Sequence, residues 1–513
     1  MKLLKAIIYA GAVFVIGSCY KDLSTEATTE IPEICIETES DIINVPYGHE
    51  IILSPQVSQK GRGDDDFEYF WEMDLVQGQK EDRIEIGTEK DLVYRVGNSP
   101  SDKPYCLTLT VTDKLTGLAK VKAWNVYVSS SLGEGVLVST TKDSGKTCDL
   151  SLMCSKAITY GYTAQEGIVT SELYSVANGA PIQGRVNSLL TSVVTDGAVF
   201  NTTRVMVGTP DHIIALNPID YKESERDGTL FNGKETDFNT TMLFNFGDYA
   251  TCAVMNEQLF CCIGNFDRAY TRMPVVGSDT KLFFPRNIAY SKPSQGMVLL
   301  FNEKVSKFQW ASILSVNGGM NSLENNGITL DINGAKALGG GCLKLGRLAM
   351  ILKLANGKYA LYCIDLSQNN PQFEEYQLTS VPDIDEADSF AFCDNANIIY
   401  YTAKNKIHVI VLSGNQVSHR VISWFANSST EEITGIYHYA QAWYGTANSS
   451  FNENPFTLDT HRLQMMITTY DPQTKKSTVY FRPFSISTGL FLSKNNGFLC
   501  VDGEITAITT TTK

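Results

Sequence analysis

Residues suited to sugar recognition are concentrated in the long connection from Tyr437 to Arg462. The candidate glycan-binding residues are Tyr439, Trp443, Tyr444, Asn448 and Asn452. An aromatic ring packs against the apolar C–H face of a pyranose, and side-chain amides hydrogen-bond its hydroxyl groups. Connections longer than about fifteen residues are uncommon unless they bind something or are disordered. The stretch predicts a glycan-binding loop. The alternative is that its aromatic rings fill a hydrophobic core while its Asn/Ser-rich part is simply exposed.

A second residue with distinct chemistry is Cys19. A short basic start precedes an apolar run over residues 6–16, which is too short to span a bilayer as a helix but suits a signal peptide. The run ends in Ile16-Gly17-Ser18-Cys19, where two small residues admit a peptidase and the thiol can carry a lipid. We predict a lipoprotein signal peptide over residues 1–18, lipidation of Cys19 and a flexible tether over residues 19–32. The alternative is an ordinary signal followed by an incidental cysteine.

Two acidic motifs resemble parts of glycoside hydrolases. The motif Thr141-x-Asp143-x-Gly145-x-Thr147-Cys148 is close to the sialidase Asp-box, but it occurs once. A hairpin turn explains it, with the Asp143 carboxylate bonded to backbone amides and Gly145 at positive φ. The densest acidic cluster, Asp383-x-Asp385-Glu386-x-Asp388, is interpreted as a solvated loop, with a calcium site or a catalytic cluster as alternatives. No HxH, HExxH, P-loop or GxSxG spacing occurs. We therefore assign no catalytic residue, no metal ligand and no cofactor.

Charge and cysteine content narrow the classes of partner. The formal net charge of the 513 residues is −14, which argues against binding nucleic acid or docking electrostatically on an anionic membrane.

Of twelve cysteines, eleven remain beyond Cys19, and most lie in apolar runs, where cysteine behaves as a small hydrophobic residue. We expect mainly buried free thiols. Disulfides between Cys148 and Cys154, or between Cys35 and Cys106, are the alternatives.

Residues 33–130 predict an immunoglobulin-like sandwich. About seven short β-runs with turn signals between them occupy this stretch, and Tyr105 to Val111 alternates between apolar and polar residues. Trp71 stands where the third strand of such a sandwich carries its core tryptophan, so we assign it to packing.

Residues 131–513 predict a β-propeller of about seven blades. Apolar strands are joined by turns near Asp365, Gly414 and Asp471, which are 49 and 57 residues apart. A four-stranded unit of about this length is typical of a propeller blade. Two large β-sandwiches are the rival architecture. The predicted fold class is thus all-β.

Two details of this second domain are predicted from local pattern. Residues 490–501 are expected to pair with Val136-Leu137-Val138, which would close the ring and remove its exposed edges. Gly339-Gly340-Gly341 is expected to form a tight turn or bulge ahead of a strand.

The first 140 residues resemble a known family. The pattern Tyr105-x-Leu107-x-Leu109-x-Val111-Thr112-Asp113, with Thr116-Gly117 after it and Phe70-Trp71 before it, is similar to polycystic-kidney-disease (PKD)-like domains. Together with Cys19-Tyr20-Lys21-Asp22 and Glu134 to Ser139, it resembles the PKD-like family lipoproteins of the Bacteroidota. The resemblance is good over residues 16–140 and only architectural beyond. It implies a lipoprotein at the surface of the outer membrane, commonly encoded beside a TonB-dependent transporter, with a part in polysaccharide capture. It implies no catalytic residues.

The functional hypothesis is a non-catalytic cell-surface module that binds a glycan or a partner protein. Its membrane contact is the N-terminal lipid, and its expected partners are a polysaccharide and a TonB-dependent transporter complex, with no nucleic acid. One alternative is a propeller glycoside hydrolase or lyase, which would need paired carboxylates at the mouth of the central channel. The other is a protein–protein scaffold, which an apolar face without a concave pocket would favour.

Overall fold

A computed structural model shows a chain of two compact units, Met1–Ser129 and Ser130–Lys513. The residues described are 32–38, 40–46, 50–74, 82–98, 104–129, 133–160, 162, 166–196, 200–233, 235–246, 250–263, 269–272, 281–291, 296–312, 320–323, 330–367, 371–423, 426, 428–442, 457–492 and 497–511. Among these residues, no helix is long and apolar enough to span a membrane.

The first unit is an immunoglobulin-like sandwich, as predicted. Its strands are β1 (Cys35–Glu37), β2 (Ile42–Pro46), β3 (Glu50–Leu53), β4 (Gln56–Ser58), β5 (Phe67–Asp74), β6 (Arg83–Gly87), β7 (Leu92–Arg95), β8 (Tyr105–Asp113) and β9 (Ala119–Ser129). One sheet has the order β2-β9-β8-β5-β6, and the pairs β1-β4 and β3-β7 form smaller sheets. β2 runs parallel to β9, and the other pairs are antiparallel.

Two stacked tryptophans form the centre of this sandwich. Trp71 on β5 and Trp124 on β9 are 0% and 1% exposed, and their ring centroids lie 5.4 Å apart. The indole nitrogen of Trp71 donates a hydrogen bond to the Glu89 carbonyl oxygen over 2.8 Å. Period-two alternation on β8 directs Leu107, Leu109 and other apolar side chains into the same core. The assignment of Trp71 to packing is confirmed.

The second unit contains seven sheets among its described residues, which we number as blades 1 to 7 in chain order. Blade 1 contains β10 (Gly135–Thr141), β11 (Thr147–Cys154), β12 (Ile168–Thr170) and β38 (Glu504–Thr511), with the short β13 (Ile182–Gln183) beside β11. Blade 2 contains β14 (Ser188–Asp196), β15 (Phe200–Gly208), β16 (Ile213–Leu216) and β17 (Glu223–Arg226). Blade 3 contains β18 (Thr240–Phe246), β19 (Ala250–Met255), β20 (Gln258–Ile263) and β21 (Thr271–Arg272). Blade 4 contains β22 (Ile288–Tyr290), β23 (Met297–Asn302), β24 (Lys307–Ser312) and β25 (Asn321–Ser322).

The remaining blades repeat the same order. Blade 5 contains β26 (Lys336–Cys342), β27 (Leu348–Lys353), β28 (Tyr359–Asp365) and β29 (Gln372–Gln377). Blade 6 contains β30 (Ser389–Phe392), β31 (Ile398–Ala403), β32 (Lys406–Ser413) and β33 (Gln416–Ile422). Blade 7 contains β34 (Glu432–His438), β35 (Gln464–Asp471), β36 (Lys476–Pro483) and β37 (Phe498–Asp502). A single α-helix of the described residues, α1 (Leu173–Asn178), lies between β12 and β13 of blade 1.

Each blade is antiparallel throughout. In blades 2 to 7 the first strand of the blade contacts the first strand of a neighbouring blade at the centre of the ring. We call the four strand positions A to D from the centre outward. Apolar side chains of consecutive blades share clusters, such as the one that joins Tyr400 of blade 6 to Tyr480 of blade 7. The propeller prediction is confirmed with seven blades, and two packed sandwiches are excluded as its architecture.

The ring is closed by a different strand from the one predicted. β10 pairs with β38, from Gly135 opposite Thr511 to Thr141 opposite Glu504, so the end of the chain supplies strand A of blade 1. Residues 498–502, which were expected to pair with β10, form strand D of blade 7 instead. Blade 7 needs a fourth, outer strand after β34, β35 and β36. Residues 498–502 supply that strand before the chain returns to the centre as β38.

Two further expectations need correction. Gly339–Gly341 lie inside β26 and not ahead of a strand, although a bulge does occur between Ala337 and Gly339. A Cβ at Gly340 would lie 2.4 Å from the Ile288 carbonyl oxygen, so glycine permits close approach of strand A of blade 4. The described cysteines are mainly buried free thiols, as expected, but Cys252 and Cys261, which face each other across β19 and β20, form a disulfide that the sequence did not indicate, and Cys35, Cys106, Cys148 and Cys154 are free.

The two ends of the ring carry different turns. We call the end with the A–B and C–D connections the AB/CD rim, and the other end the BC/DA rim. The connection from Tyr437 to Arg462 lies between strands A and B of blade 7, and therefore at the AB/CD rim.

Candidate binding site at blade 7

The structure places the predicted glycan-binding residues only in part. Trp443, Tyr444, Asn448 and Asn452 lie outside the described residues, and so does Cys19. Tyr439 is 1% exposed and belongs to the apolar cluster between blades 7 and 1. Burial raises its pKa strongly. Tyr439 therefore presents no ring face to a sugar, and we correct its assignment from ligand contact to core packing.

The base of the connection is held by a buried polar network. Gln441 donates a side-chain hydrogen bond to Glu134 of blade 1, which is 2% exposed. Glu134 also accepts the backbone N–H of Tyr160 over 2.6 Å. On the far side of the connection, the backbone N–H of Leu458 donates to Gln441 Oε1 over 2.8 Å. The Gln441 backbone N–H donates to His461 Nδ1 over 3.0 Å. One glutamine thus ties both ends of the connection to the seam between blades 7 and 1.

Next to this base lies a buried carboxylate with two basic neighbours. Asp394, in the A–B turn of blade 6, has a side chain that is 6% exposed. Its Oδ1 lies 3.4 Å from His438 Nδ1, and its Oδ2 lies 3.5 Å from Arg462 Nε. Asn395 donates to the Arg462 carbonyl oxygen over 2.5 Å, which fixes the turn of blade 6 against that of blade 7. Rigid, oriented polar groups of this kind suit hydroxyl recognition because they need no reordering on binding.

A second basic residue continues the same row. His438, Met465 and Arg482 stand directly opposite one another on strands A, B and C of blade 7. Neighbours in register point to the same face of a sheet. Met465 belongs to the cluster with blade 6, so all three side chains face blade 6 at the AB/CD rim. Sequence reasoning missed both Asp394 and Arg482. An arginine directly after the apolar run Val479-Tyr480-Phe481 was the available signal.

Exposed apolar side chains also favour the AB/CD rim. Of eleven exposed large hydrophobic residues described in the second unit, eight belong to this rim. They are Tyr160, Ile168, Ile219, Leu345, Leu463, Ile486, Leu492 and Phe498. Leu345 is the most exposed of them at 84%, in the A–B turn of blade 5. Exposed apolar surface concentrated on one face is typical of an interaction site.

The acidic motifs have structural roles in the described residues. Asp143 accepts the backbone N–H of Thr147 over 2.9 Å and its hydroxyl over 2.8 Å, and Gly145 has φ +87°. These bonds lower the pKa of Asp143 to about 2, as the hairpin interpretation requires. In the other motif, Asp383 and Glu386 both pair with Lys404, at 2.7 and 2.9 Å, on the BC/DA rim. That pairing agrees with a solvated loop.

A cavity of about 270 Å³ lies away from this site. It is lined by residues at the BC/DA rim of blade 3 and the start of blade 4, namely Asn239, Thr241, Asn256, Glu257, Lys281, Phe283, Phe284 and Pro285. None of the residues predicted from sequence lines it.

Comparison with known proteins identifies the first part of the chain. A sequence model of the PKD-like family matches residues 19–185, which include the whole described sandwich and the strands β10 to β13 of the propeller. No curated protein matches the chain.

Several solved structures are similar at low sequence identity. A quinonprotein alcohol dehydrogenase-like protein from Bacteroides thetaiotaomicron VPI-5482 is 12% identical over 92% of this chain and 98% of its own, with a TM-score of 0.46. A protein from Lactobacillus plantarum is 11% identical over 74% of this chain and 99% of its own, with a TM-score of 0.42. Sqt1 from Chaetomium thermophilum, bound to the N-terminus of ribosomal protein L10, is 10% identical over 72% of this chain and 88% of its own, with a TM-score of 0.38. The fold assigned above depends on the strand pairing alone.

Proposed function

We propose that this protein is a non-catalytic binding module that holds a glycan on the AB/CD rim at blade 7. A propeller-like β-fold suggests a binding or scaffold module. The observation that carries the proposal is that one rim combines the rigid polar group around Asp394 with most of the exposed apolar side chains. Sugars need both kinds of contact, since a pyranose has apolar faces and a polar rim of hydroxyls.

In this proposal residues of the connection from Tyr437 to Arg462 complete the site. Trp443 and Tyr444 supply the ring faces, and Asn448 and Asn452 supply hydrogen bonds to hydroxyl groups. Arg462, whose side chain is 27% exposed, lies where the connection rejoins strand B. The network through Gln441 sets where the connection leaves the ring.

The proposal includes a location. Lipidation of Cys19 anchors the chain to the outer membrane at the cell surface, and residues 19–32 act as the tether. The partner is a TonB-dependent transporter complex that takes up polysaccharide. An anchored module raises the local concentration of a modestly bound glycan beside such a transporter without any new contact.

A glycan array with the soluble chain from residue 20 onward tests this function. Trp443→Ala is expected to weaken binding of the best glycan about tenfold or more, since buried aromatic anchors dominate such interfaces. Phe70→Ala, at an exposed aromatic position of the sandwich, is the matched control and is expected to change nothing. If no glycan binds, the proposal is wrong; if a glycan is cleaved, the glycosidase or lyase alternative replaces it.

A protein–protein scaffold is the second candidate, and the eight exposed apolar side chains favour it. It predicts that the transporter copurifies with the native lipoprotein from membranes and that Leu345→Asp abolishes this copurification. Val305→Asp, on the BC/DA rim at 53% exposure, is the control. Equal copurification of both variants with the wild-type yield would exclude the AB/CD rim as the docking surface.

A further inference from the structure

Arg482 is a buried cation near the candidate site. It lies next to the end of β36 and is 7% exposed, in the row that also contains His438. Eight other described arginines form ion pairs with carboxylates, and all of them are more exposed than Arg482. Arg482, the most deeply buried arginine of the described residues, therefore differs from these eight in its surroundings.

The Arg482 guanidinium has few contacts among the described residues. Its central carbon lies 4.8 Å from the centre of the Tyr480 ring, on the same strand. Its Nη1 donates to the carbonyl oxygen of its own neighbour, Phe481, over 3.4 Å. Among the described residues no carboxylate forms an ion pair with it. Five N–H donors in a planar fork are thus matched by one long hydrogen bond and one ring face.

Such an arrangement is costly for the free protein. A charge taken out of water needs a counter-charge or good hydrogen bonds, and the contact with a tyrosine ring offsets only part of this cost. Burial lowers the pKa of Arg482, but the guanidinium stays charged at neutral pH. No nitrogen of the group is both fully buried and without a partner, so the nitrogens that lack a protein acceptor still reach solvent.

We propose that Arg482 receives an oxyanion substituent of the bound sugar, so that the ligand of this site is an acidic glycan. The inference rests on the proposed glycan-binding function and specifies its ligand class. A guanidinium binds a carboxylate through two parallel hydrogen bonds, and it binds a sulfate ester by the same donors. The oxyanion would reach Arg482 at the AB/CD rim, where His438, Met465 and Arg482 face blade 6.

The first test needs no ligand. Arg482→Met keeps an unbranched stem of similar length and removes the charge, so the melting temperature is expected to stay equal or to rise. Arg420→Met, at an exposed position on β33, is the control and is expected to leave the melting temperature unchanged. A large fall for Arg482→Met alone would show that the free protein already compensates the charge, and would overturn the inference.

The second test measures affinity by calorimetry with oligosaccharides that end in D-glucuronate, in a 6-sulfated sugar or in D-glucose. The wild type is expected to prefer at least one acidic ligand over the neutral one by about tenfold or more, which is the range for hydrogen bonds to a charged group. Arg482→Met is expected to lose this preference, and Arg482→Lys, which keeps a charge without the fork, to retain part of it. The carboxylate and sulfate arms identify which oxyanion is recognised.

The outcomes separate this inference from the proposed function. Binding of neutral glycans that depends on Trp443 but is unaffected by Arg482→Met would support the function and refute the inference. If no oligosaccharide binds, sodium D-glucuronate or sodium sulfate, compared with sodium chloride at equal ionic strength, still tests the oxyanion site by thermal shift. A shift that Arg482→Met abolishes would support the site without the glycan, and no such shift would refute it.

Discussion

The hydrogen bond between Glu134 and Gln441 is expected to couple the binding connection to the closure of the ring. Glu134 stands directly before β10, which pairs with the closing strand β38, and Gln441 stands at the base of the connection. The perturbation is a double-mutant cycle with Glu134→Ala, Gln441→Ala and both changes together. A cycle isolates the energy of the shared contact from the other effects of each substitution.

The magnitude follows from the partners of each residue. Glu134→Ala removes the acceptor of the buried Gln441 amide and of the part-buried Tyr160 N–H. A buried donor without an acceptor costs about 1–3 kcal/mol, so the single change is expected to cost at least about 1–3 kcal/mol. Gln441→Ala removes the acceptor of the Leu458 N–H as well as the shared bond. The coupling energy, which belongs to the shared bond with a carboxylate, is expected at about 1.5–3 kcal/mol.

Differential scanning calorimetry of the full-length soluble chain measures these changes in the transition of the larger unit. A Trp71→Phe variant identifies the other transition, since this side chain lies at the centre of the sandwich. Glycan affinity is measured in parallel, and Gln441→Ala is expected to weaken it because both ends of the connection lose a tether. Additivity of the two single changes within about 0.5 kcal/mol would refute the coupling.

Three further predictions concern the ring and its turns. Gly340→Ala is expected to destabilise the larger unit by about 1–3 kcal/mol or more, because its Cβ would meet a backbone oxygen at 2.4 Å. The control Gly497→Ala has open space around the new Cβ, and its free energy of unfolding in the same calorimetric experiment should change by no more than about 0.5 kcal/mol. Asp143 has a pKa of about 2, below its usual 3.8, so its stabilising effect is complete above that range and is lost as the pH falls through it; the difference in melting temperature between wild type and Asp143→Asn should be constant above about pH 5 and shrink towards pH 2. Thiol titration of the unfolded, lipidated chain should count nine cysteines before reduction and two more after it, because Cys252 and Cys261 form a disulfide, and eleven before reduction would contradict that bond.

The fold could be predicted from the sequence because its signals are local. Short apolar strands separated by turn residues define both the sandwich and the blades, and a recurrent four-strand period implies a ring. Local sequence alone could not show which C-terminal strand closes the ring. Residues 498–502 and 504–511 are both β-formers, and only the pairing of the first with strand C of blade 7 assigns the second to β10.

For the candidate site, the sequence indicated a long connection rich in aromatic and amide side chains, and its glycan-binding role stays a prediction. Tyr439 was misassigned because the same residue type serves a ligand surface and a core, and its burial depends on blade 1, which lies some three hundred residues earlier in the chain. The positions of Asp394 and Arg482 in the chain gave no sign that they lie near each other. They reach the same rim only because blades 6 and 7 are neighbours in the folded ring.

Closure by β38 also sets an order in time. On the ribosome the strands of six blades emerge after β10 and before its partner, so the inner edge of β10 stays unpaired through the synthesis of more than three hundred and fifty residues. An unpaired strand edge invites association with other chains. The edge of β10 therefore stays available for pairing with other chains until residues 504–511 have been synthesised. A premature stop near position 503 would leave this edge unpaired permanently, and we expect the truncated protein to aggregate.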